Sequence, residues 1–560
     1  LKTISGQPKE THMARSSRRS AIIVLAVILA CGCVGMLFGQ RLASSSSSSD
    51  GDVRESLRSF SDVYDVVQQD YAEPVNPDKA IYNGAIPGML RVLDPHSNFF
   101  DPKSYAALRE EQRGKYYGVG MQVGPRNNKV IVIAPFAGAP AYRAGIRPGD
   151  VIIAVDGKPT DNLSTSDVAE MLKGPKGTTV KITMLREGSD KPLDFTVVRD
   201  EIPRYSVDVH FMIRPGIGYV HISGFQETTE HELRQALDEL GDLKGLILDL
   251  RQNPGGLLSE GVGVADQFLK KGSVIVSHHG RASTEKVYKA AHGNGGKDYP
   301  LVVLVNRGTA SAAEIVAGAI QDHDRGLIAG ETTFGKGLVQ TVYPLSENTG
   351  LALTTAKYYT PSGRLIQRDY SNISLYDYYY NDRENADAPT AAGANHEVKM
   401  TDSGRTVYGG GGITPDVKLV SPKPNKFQET LLEKYAFFNF AKHYTINHKV
   451  NKQFEVDEAV MQEFRKYLDD QKITFTEADL AENADWIHAN IKAELFINEF
   501  GQQEGMRVHA EGDPEVQKAL DLLPQAKQLA ENAKKTIAQR NNARLTAQQG
   551  DAPEPQSVKR

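Results

Sequence analysis

The segment VVLVNRGTASAAEIVAGAI, residues 302–320, leaves the chain little conformational choice. Leu301 to Val305 is a short apolar run, rich in β-branched residues and too short for a helix, so it reads as a buried strand. Asn306 to Ala310 is a small-residue turn, and the residues from Ser311 onward have the composition of a buried helix. A second such unit is LKGLILDLRQNPGG (243–256), an apolar strand running into a glycine turn. GIGYVHISGF (216–225) reads as a strand and EHELRQALDEL (230–240) as an amphipathic helix, while TGLALTTAKYYTPSG (349–363) is a later strand and turn. Strands alternating with helices predict a layered α/β core over 203–369.

At 560 residues the chain is too long for one core. Its net charge of −5, with no basic block beyond the N-terminus, argues against a nucleic-acid partner. The two cysteines, Cys31 and Cys33, sit together in one apolar run, so the rest of the chain holds no disulfide, cysteine metal site or cysteine nucleophile. The fourteen histidines show no H-E-x-x-H or comparable spacing, so no metal site is expected. Ala21 to Phe38 is about 18 residues without charge, preceded by Arg15, Arg18 and Arg19. That length just spans a bilayer, with the arginines on the cytoplasmic side. An uncleaved anchor within 13–43 is the first reading, a cleaved signal the second, and a lipoprotein box at Ile28-Leu29-Ala30-Cys31 the third. Each puts the bulk of the chain outside the cytoplasm. Met13 reads as the start, and the serine run within 44–52 as a flexible tether.

Chemistry concentrates at two positions. Ser311 stands at a helix N-terminus, where unpaired N–H groups and the positive dipole end favour a developing oxyanion. Lys336 stands in GETTFGKGLVQTVYPL (330–345), between Gly335 and Gly337, among the apolar Phe334, Leu338 and Val339. A lysine works as a general base only when neutral, and burial favours the neutral form. Gln340, four residues on, is placed to orient the amine. Read alone, Ser311 is a helix cap and Lys336 a solvated lysine. GETTFGKG nearly spells a phosphate loop, but Gly337 occupies the position of the hydroxyl that would hold magnesium.

Taken together, these segments resemble the C-terminal processing peptidases, serine proteases with a Ser-Lys dyad and an embedded PDZ domain. The resemblance implies Ser311 as nucleophile, Lys336 as general base and Gln340 as its support. It also implies an oxyanion hole made by the amide of Ala312 with that of Gly255 or Gly256, and no cofactor. The text from Tyr116 to Ile202 consists of short β-runs around AGIRPGDVIIAVDGKP and resembles the family's PDZ domain. A PDZ domain captures a chain terminus by strand addition and binds its carboxylate with loop amides. That loop is expected at Tyr117, Gly118, Val119 and Gly120, with Met121 and Val123 lining an apolar pocket.

The expected architecture is multidomain α/β: an N-terminal helical region (53–115), a β-rich PDZ domain (116–202) inserted before a mixed α/β protease core (203–369 and 408–424), a mobile tyrosine- and aspartate-rich insertion (370–407) that departs from the family, and a helical C-terminal extension (425–545). Trp486 reads as a core residue of that extension, and His96, in LDPHSNFFDPKSY, as structural rather than catalytic. The implied activity is periplasmic cleavage of proteins with free C-termini, with an adaptor protein as a further partner. Two rivals stand beside it. A catalytically inactive PDZ scaffold conflicts with the retention of Ser311, Lys336 and Gln340. A Ser-His hydrolase or esterase using Asp322 or Asp324 lacks a G-x-S-x-G elbow.

Overall fold

The computed structural model describes residues 47–550 apart from 127, 372, 382–396 and 421. The described residues separate into two compact units, the first ending at Gly88 and the second beginning at Met89. The apolar run Ala21–Phe38 lies outside the described residues, and among those described no helix is long and apolar enough to cross a membrane. In the first unit the helix Ser47–Asp70 begins inside the stretch read as a tether. Serine costs little once a helix has nucleated downstream, so the helix extends back through it. The helical period of Leu57, Phe60, Val63 and Val67 is present, but that face is uncovered: Leu57 and Phe60 are 64% and 50% exposed.

In the second unit, a ribbon of Lys115–Gly118 paired with Asp200–Pro203 closes the neck of an antiparallel β-domain. Its sheet runs Met121–Arg126, Lys129–Pro135, Val151–Val155, Thr179–Leu185, Leu193–Val198 in spatial order. The helix Thr165–Leu172, capped reciprocally by Ser164 and Asp167, buries Val168 and Leu172 against Val132, Ile152 and Ile182. Among the described residues, strand Met121–Arg126 has a strand partner on one side only, which leaves its other edge open.

The central α/β core is a six-stranded sheet in the order Val209–Arg214, Ile217–His221, Gly245–Asp249, Leu301–Val305, Leu327–Gly330, Val417–Lys418. The first pair is antiparallel and the rest are parallel. Both faces are covered, as an apolar parallel sheet requires. Leu246, Leu248, Val303 and Val305 pack against the wholly buried helix Ala312–Asp322. Ile247, Val302 and Leu304 face the other way, onto Val516, Ala519, Leu523 and Ala526. Those four belong to the helix Pro514–Gly550, so the extension, to which sequence reading assigned no role, supplies one wall of the core.

A second sheet centres on Gly350–Tyr359, flanked by Leu338–Pro344, Asn98–Phe100 and Val274–His279. Helices between 426 and 512 build a separate aromatic core around Phe437, Phe440, Phe464 and Phe496, with Trp486 half-buried on Phe437. Of the stretch 370–407, expected to be a mobile insertion, residues 372 and 382–396 lie outside the described residues, and its described flanks are packed. Tyr378 is buried, and Arg405 precedes the strand Thr406–Tyr408 and bonds Asp324 and Asp416. Aromatic and ion-paired burial holds these flanks despite their lack of sequence period.

Candidate active site

The loops that follow Gly245–Asp249 and Leu301–Val305 leave the same edge of the parallel sheet, the edge where α/β sheets place their ligands. They are stitched together. Thr309 Oγ1 donates to Leu250 O at 2.8 Å, Gln252 N to Asn306 Oδ1 at 2.9 Å, and Ala310 N to Asn253 O at 2.9 Å. Asn253 Nδ2 in turn donates to Ile222 O at 2.7 Å, which ties the glycine turn to the next strand.

Gly255 and Gly256 have φ of +93° and +145°. A Cβ on Gly255 would stand 2.7 Å from both Ala310 O and Ser311 Cβ, and one on Gly256 would stand 2.1 Å from Phe225 O. No side chain fits at either position. The two amides differ: Gly255 N donates to Asn253 Oδ1 at 2.8 Å, whereas Gly256 N, like Ala312 N, has no acceptor among the described residues.

Ser311 precedes the helix Ala312–Asp322 with φ +53° and ψ −114°, a conformation that a serine adopts only under constraint. The constraint comes from Glu314, which is fully buried. Its Oε2 accepts from Ser311 N and from Lys336 N, each at 2.8 Å. Its Oε1 accepts from Gly335 N at 2.7 Å and Thr333 Oγ1 at 2.5 Å. Thr333 Oγ1 also accepts from Ile413 N at 2.7 Å. One carboxylate thus fastens the serine loop to the lysine loop. Tyr358, also buried, repeats the fastening from the carbonyl side: its one hydroxyl hydrogen is shared between Lys336 O (2.5 Å) and Ser311 O (3.1 Å).

Gly335 and Gly337 permit close approach as well as bending. A Cβ on Gly335 would meet Gly412 N at 3.0 Å and one on Gly337 would meet Gln367 N at 2.8 Å. Burial pushes the Lys336 ammonium below the ordinary lysine range, against the opposing pull of the Glu314 and Asp94 carboxylates. Lys336 Nζ donates to Gln340 Oε1 at 2.9 Å. Burial likewise pushes the Glu314 carboxyl upward, against its four donors.

Ser311, Lys336, Gln340, Gly255, Gly256 and Ala312 are therefore gathered at one place. The residues expected at the β-domain's loop lie elsewhere. Tyr117 donates through its hydroxyl to Glu201 Oε2, Gly118 pairs with Asp200, and Val119 and Met121 are buried in that domain's own core with Val123 half-buried beside them. Gly120 has φ +74°, and a Cβ there would stand 2.4 Å from Ala139 Cβ.

Sequence reading missed Glu314, Tyr358 and Asn253. For Glu314 a signal was present: Ser311-x-x-Glu314 has the spacing of a capping box. Among the described residues no histidine ring bonds Ser311 or Lys336. His96 bonds Tyr378 OH and Tyr379 OH through its two ring nitrogens, and His323 bonds Asp402 and Val274 O.

Residues 216–372 match peptidase family S41, residues 131–186 match the PDZ domain, residues 427–478 match the C-terminal helical domain of probable PDZ-proteases, and residues 37–104 match the N-terminal domain of the activating protease CtpB. A carboxy-terminal-processing protease of Bartonella bacilliformis is 40% identical over 331 residues, covering 58% of this chain and 75% of that one. A carboxyl-terminal-processing protease of Synechocystis sp. is 41% identical over 292 residues, covering 51% and 68%. The structure of the photosystem II D1 C-terminal processing protease aligns with 36% identity and a TM-score of 0.31, covering 55% and 84%.

Proposed function

The chain belongs to the carboxy-terminal-processing proteases of peptidase family S41, and we propose that Ser311 and Lys336 form its catalytic dyad. The observation that carries this reading is the sharing of Glu314 Oε2 by the main chains of Ser311 and Lys336, with a partly buried Lys336 amine resting on Gln340. In the neutral form, Lys336 donates one hydrogen to Gln340 Oε1 and keeps its lone pair for the Ser311 proton. Ser311 Oγ then attacks the peptide carbonyl, and the oxyanion is received by the unclaimed amides of Gly256 and Ala312. Collapse breaks the C–N bond as the Lys336 ammonium protonates the leaving amine. Water, giving its proton to the same lysine, hydrolyses the ester and frees Ser311. Of the two glycine amides the sequence left open, Gly256 is favoured because Asn253 occupies Gly255.

The PDZ domain selects substrates by their C-termini, the terminal segment adding to the open edge of Met121–Arg126 and its carboxylate meeting the amides around Tyr117–Gly120. Its catalytic domains act on the outer side of a bacterial inner membrane, a reading supported by the arginine-flanked apolar run at 21–38.

Labelling with a fluorophosphonate tests the dyad. Adduct formation is expected to vanish in Ser311→Ala and Lys336→Ala and to survive replacement of each histidine other than His96. Undiminished labelling of Lys336→Ala would remove lysine as the base. Amidating a peptide's C-terminus is expected to weaken binding, and equal binding of acid and amide would remove the PDZ role. Protease accessibility in spheroplasts checks the location.

A further inference from the structure

The Gln340 side chain, whose carbonyl faces Lys336, is held at its amide from the other side. That hold comes from a main-chain atom 244 residues away: Gln340 Nε2 donates to the backbone carbonyl of His96. The turn that offers this carbonyl is itself built. Asp94 Oδ1 accepts from His96 N (2.8 Å) and Ser97 N (2.7 Å), and Asp94 Oδ2 accepts from Ser97 Oγ (2.7 Å). Ser97 Oγ accepts from Thr354 N at 3.1 Å, and Thr354 is the cross-strand partner of Gln340. The turn is thereby docked over the strand pair that carries Gln340.

The His96 ring is pinned by two tyrosines from the segment whose composition departs from the family. His96 Nε2 lies 3.0 Å from Tyr378 OH and Nδ1 lies 3.3 Å from Tyr379 OH. Their other bonds fix the direction of each. Gln367 Nε2 donates to Tyr378 OH at 3.1 Å, so the Tyr378 hydrogen goes to His96 Nε2. Tyr379 OH donates to Pro95 O at 3.1 Å, so it accepts the Nδ1 hydrogen. The ring is then a neutral Nδ1–H tautomer with both nitrogens satisfied. Gln367 Oε1 accepts from Gly337 N at 2.9 Å, which closes a ring of hydrogen bonds around the lysine loop: Gly337, Gln367, Tyr378, His96, Gln340, Lys336.

We propose that Tyr378 and Tyr379 are positioning residues for the general base, acting through the His96 turn to hold Gln340, and so the Lys336 amine, in its working orientation. The inference rests on the dyad reading. It assigns a function to a segment that sequence composition marked as a mobile insertion, and it makes packing of that segment a condition of full activity.

The test is a mutant cycle in the full chain. Tyr378→Phe with Tyr379→Phe keeps both rings and removes both hydroxyls. With a small activated ester, kcat is expected to fall roughly tenfold to a hundredfold, the scale of a base misplaced by about 1 Å, with KM within twofold. Thermal melting in a Ser311→Ala background monitors folding. In a Gln340→Ala background the same tyrosine pair is expected to cause no further loss, because the link it acts through is already gone. An unchanged kcat in the native background, or the same fold-loss with and without Gln340, would overturn the proposal. If the double variant melts early, the single Tyr379→Phe change is read through the same cycle. Failure of the dyad itself shows separately, as undiminished fluorophosphonate labelling of Lys336→Ala.

Discussion

Replacing Glu314 by glutamine changes one atom of the site and should disable it. The carboxylate receives two donors on each oxygen. An amide retains only one acceptor oxygen. Its best placement turns the NH2 toward Thr333, whose hydroxyl can reverse and accept, and keeps Oε1 on Ser311 N and Lys336 N. Gly335 N–H is then left without a partner in a buried site, at a cost of about 1–3 kcal/mol. The two surviving bonds lose charge assistance, roughly 1 kcal/mol each. A total of about 3–5 kcal/mol, at about 2–4 °C per kcal/mol for a domain of this type, lowers Tm by roughly 6–20 °C. The chemistry should respond in two ways. Loosened loops slow acylation. Loss of the negative charge that opposes the depression of Lys336 lets its pKa fall further, so the acid limb of the pH–rate profile moves to lower pH. Melting is measured in a Ser311→Ala background to exclude self-cleavage, and acylation by stopped reaction with a fluorophosphonate. A variant that melts within 1 °C of the parent, labels at the parent rate and keeps the same midpoint would refute the reasoning.

In the parent enzyme, activity should rise with pH through a midpoint below the ordinary lysine value, because the partly buried ammonium must first lose its proton. Lys336→Arg should be inactive at every pH, and a rate flat from pH 5 to 9 would contradict the assignment. Burial holds His96 down to about 4, so its contribution to stability is complete above the unfolded value near 6.5 and is lost as pH falls toward 4. The amount is roughly 3 kcal/mol, and His96→Asn should flatten the stability profile across that window. Arg251 bonds Asp249, Asp513 and Glu515 and thereby fixes the strand before the glycine turn to the C-terminal extension. Arg251→Met strands the buried Asp249 carboxylate and should cost about 3–5 kcal/mol in denaturant unfolding; a loss under 1 kcal/mol would show that the cluster is not structural.

How much of this could be read from the sequence depends on how local each contact is. Strand, turn and serine helix are encoded within twenty residues by apolar runs and small residues, and the structure follows them. Lys336 and Gln340 are four residues apart, so their contact was legible too. Glu314 was visible only as half of a cap; its bonds to Thr333, Gly335 and Lys336 depend on a loop 19 to 22 residues away. The His96 contact was invisible, since the atom that holds Gln340 is a main-chain carbonyl, which every residue type carries. The spacing of Val516, Ala519, Leu523 and Ala526 announces an apolar helix face, but nothing local says that its partner is Ile247, Val302 and Leu304.

The placement of Glu314 bears directly on the proposed dyad. To serve as the proposed general base Lys336 must be neutral, yet the buried Glu314 carboxylate opposes that state. A direct ion pair would lock Lys336 in its charged form. Instead all the carboxylate's bonds are to other donors, three amides and a hydroxyl, while Nζ is turned to the neutral Gln340. The amide dipoles offset the negative charge, so Glu314 organises the loops at a small cost to the lysine's basicity. Withdrawing one donor should therefore act with the sign opposite to removing the charge. Thr333→Val strips the hydroxyl from Oε1 and also leaves Ile413 N–H unpaired, at about 1–3 kcal/mol of stability. The less-screened carboxylate then pulls Lys336 upward, and the acid limb of the pH–rate profile should move to higher pH, where Glu314→Gln moves it lower. If both substitutions shifted the midpoint in the same direction, the idea that the donors shield the lysine from Glu314 would fail.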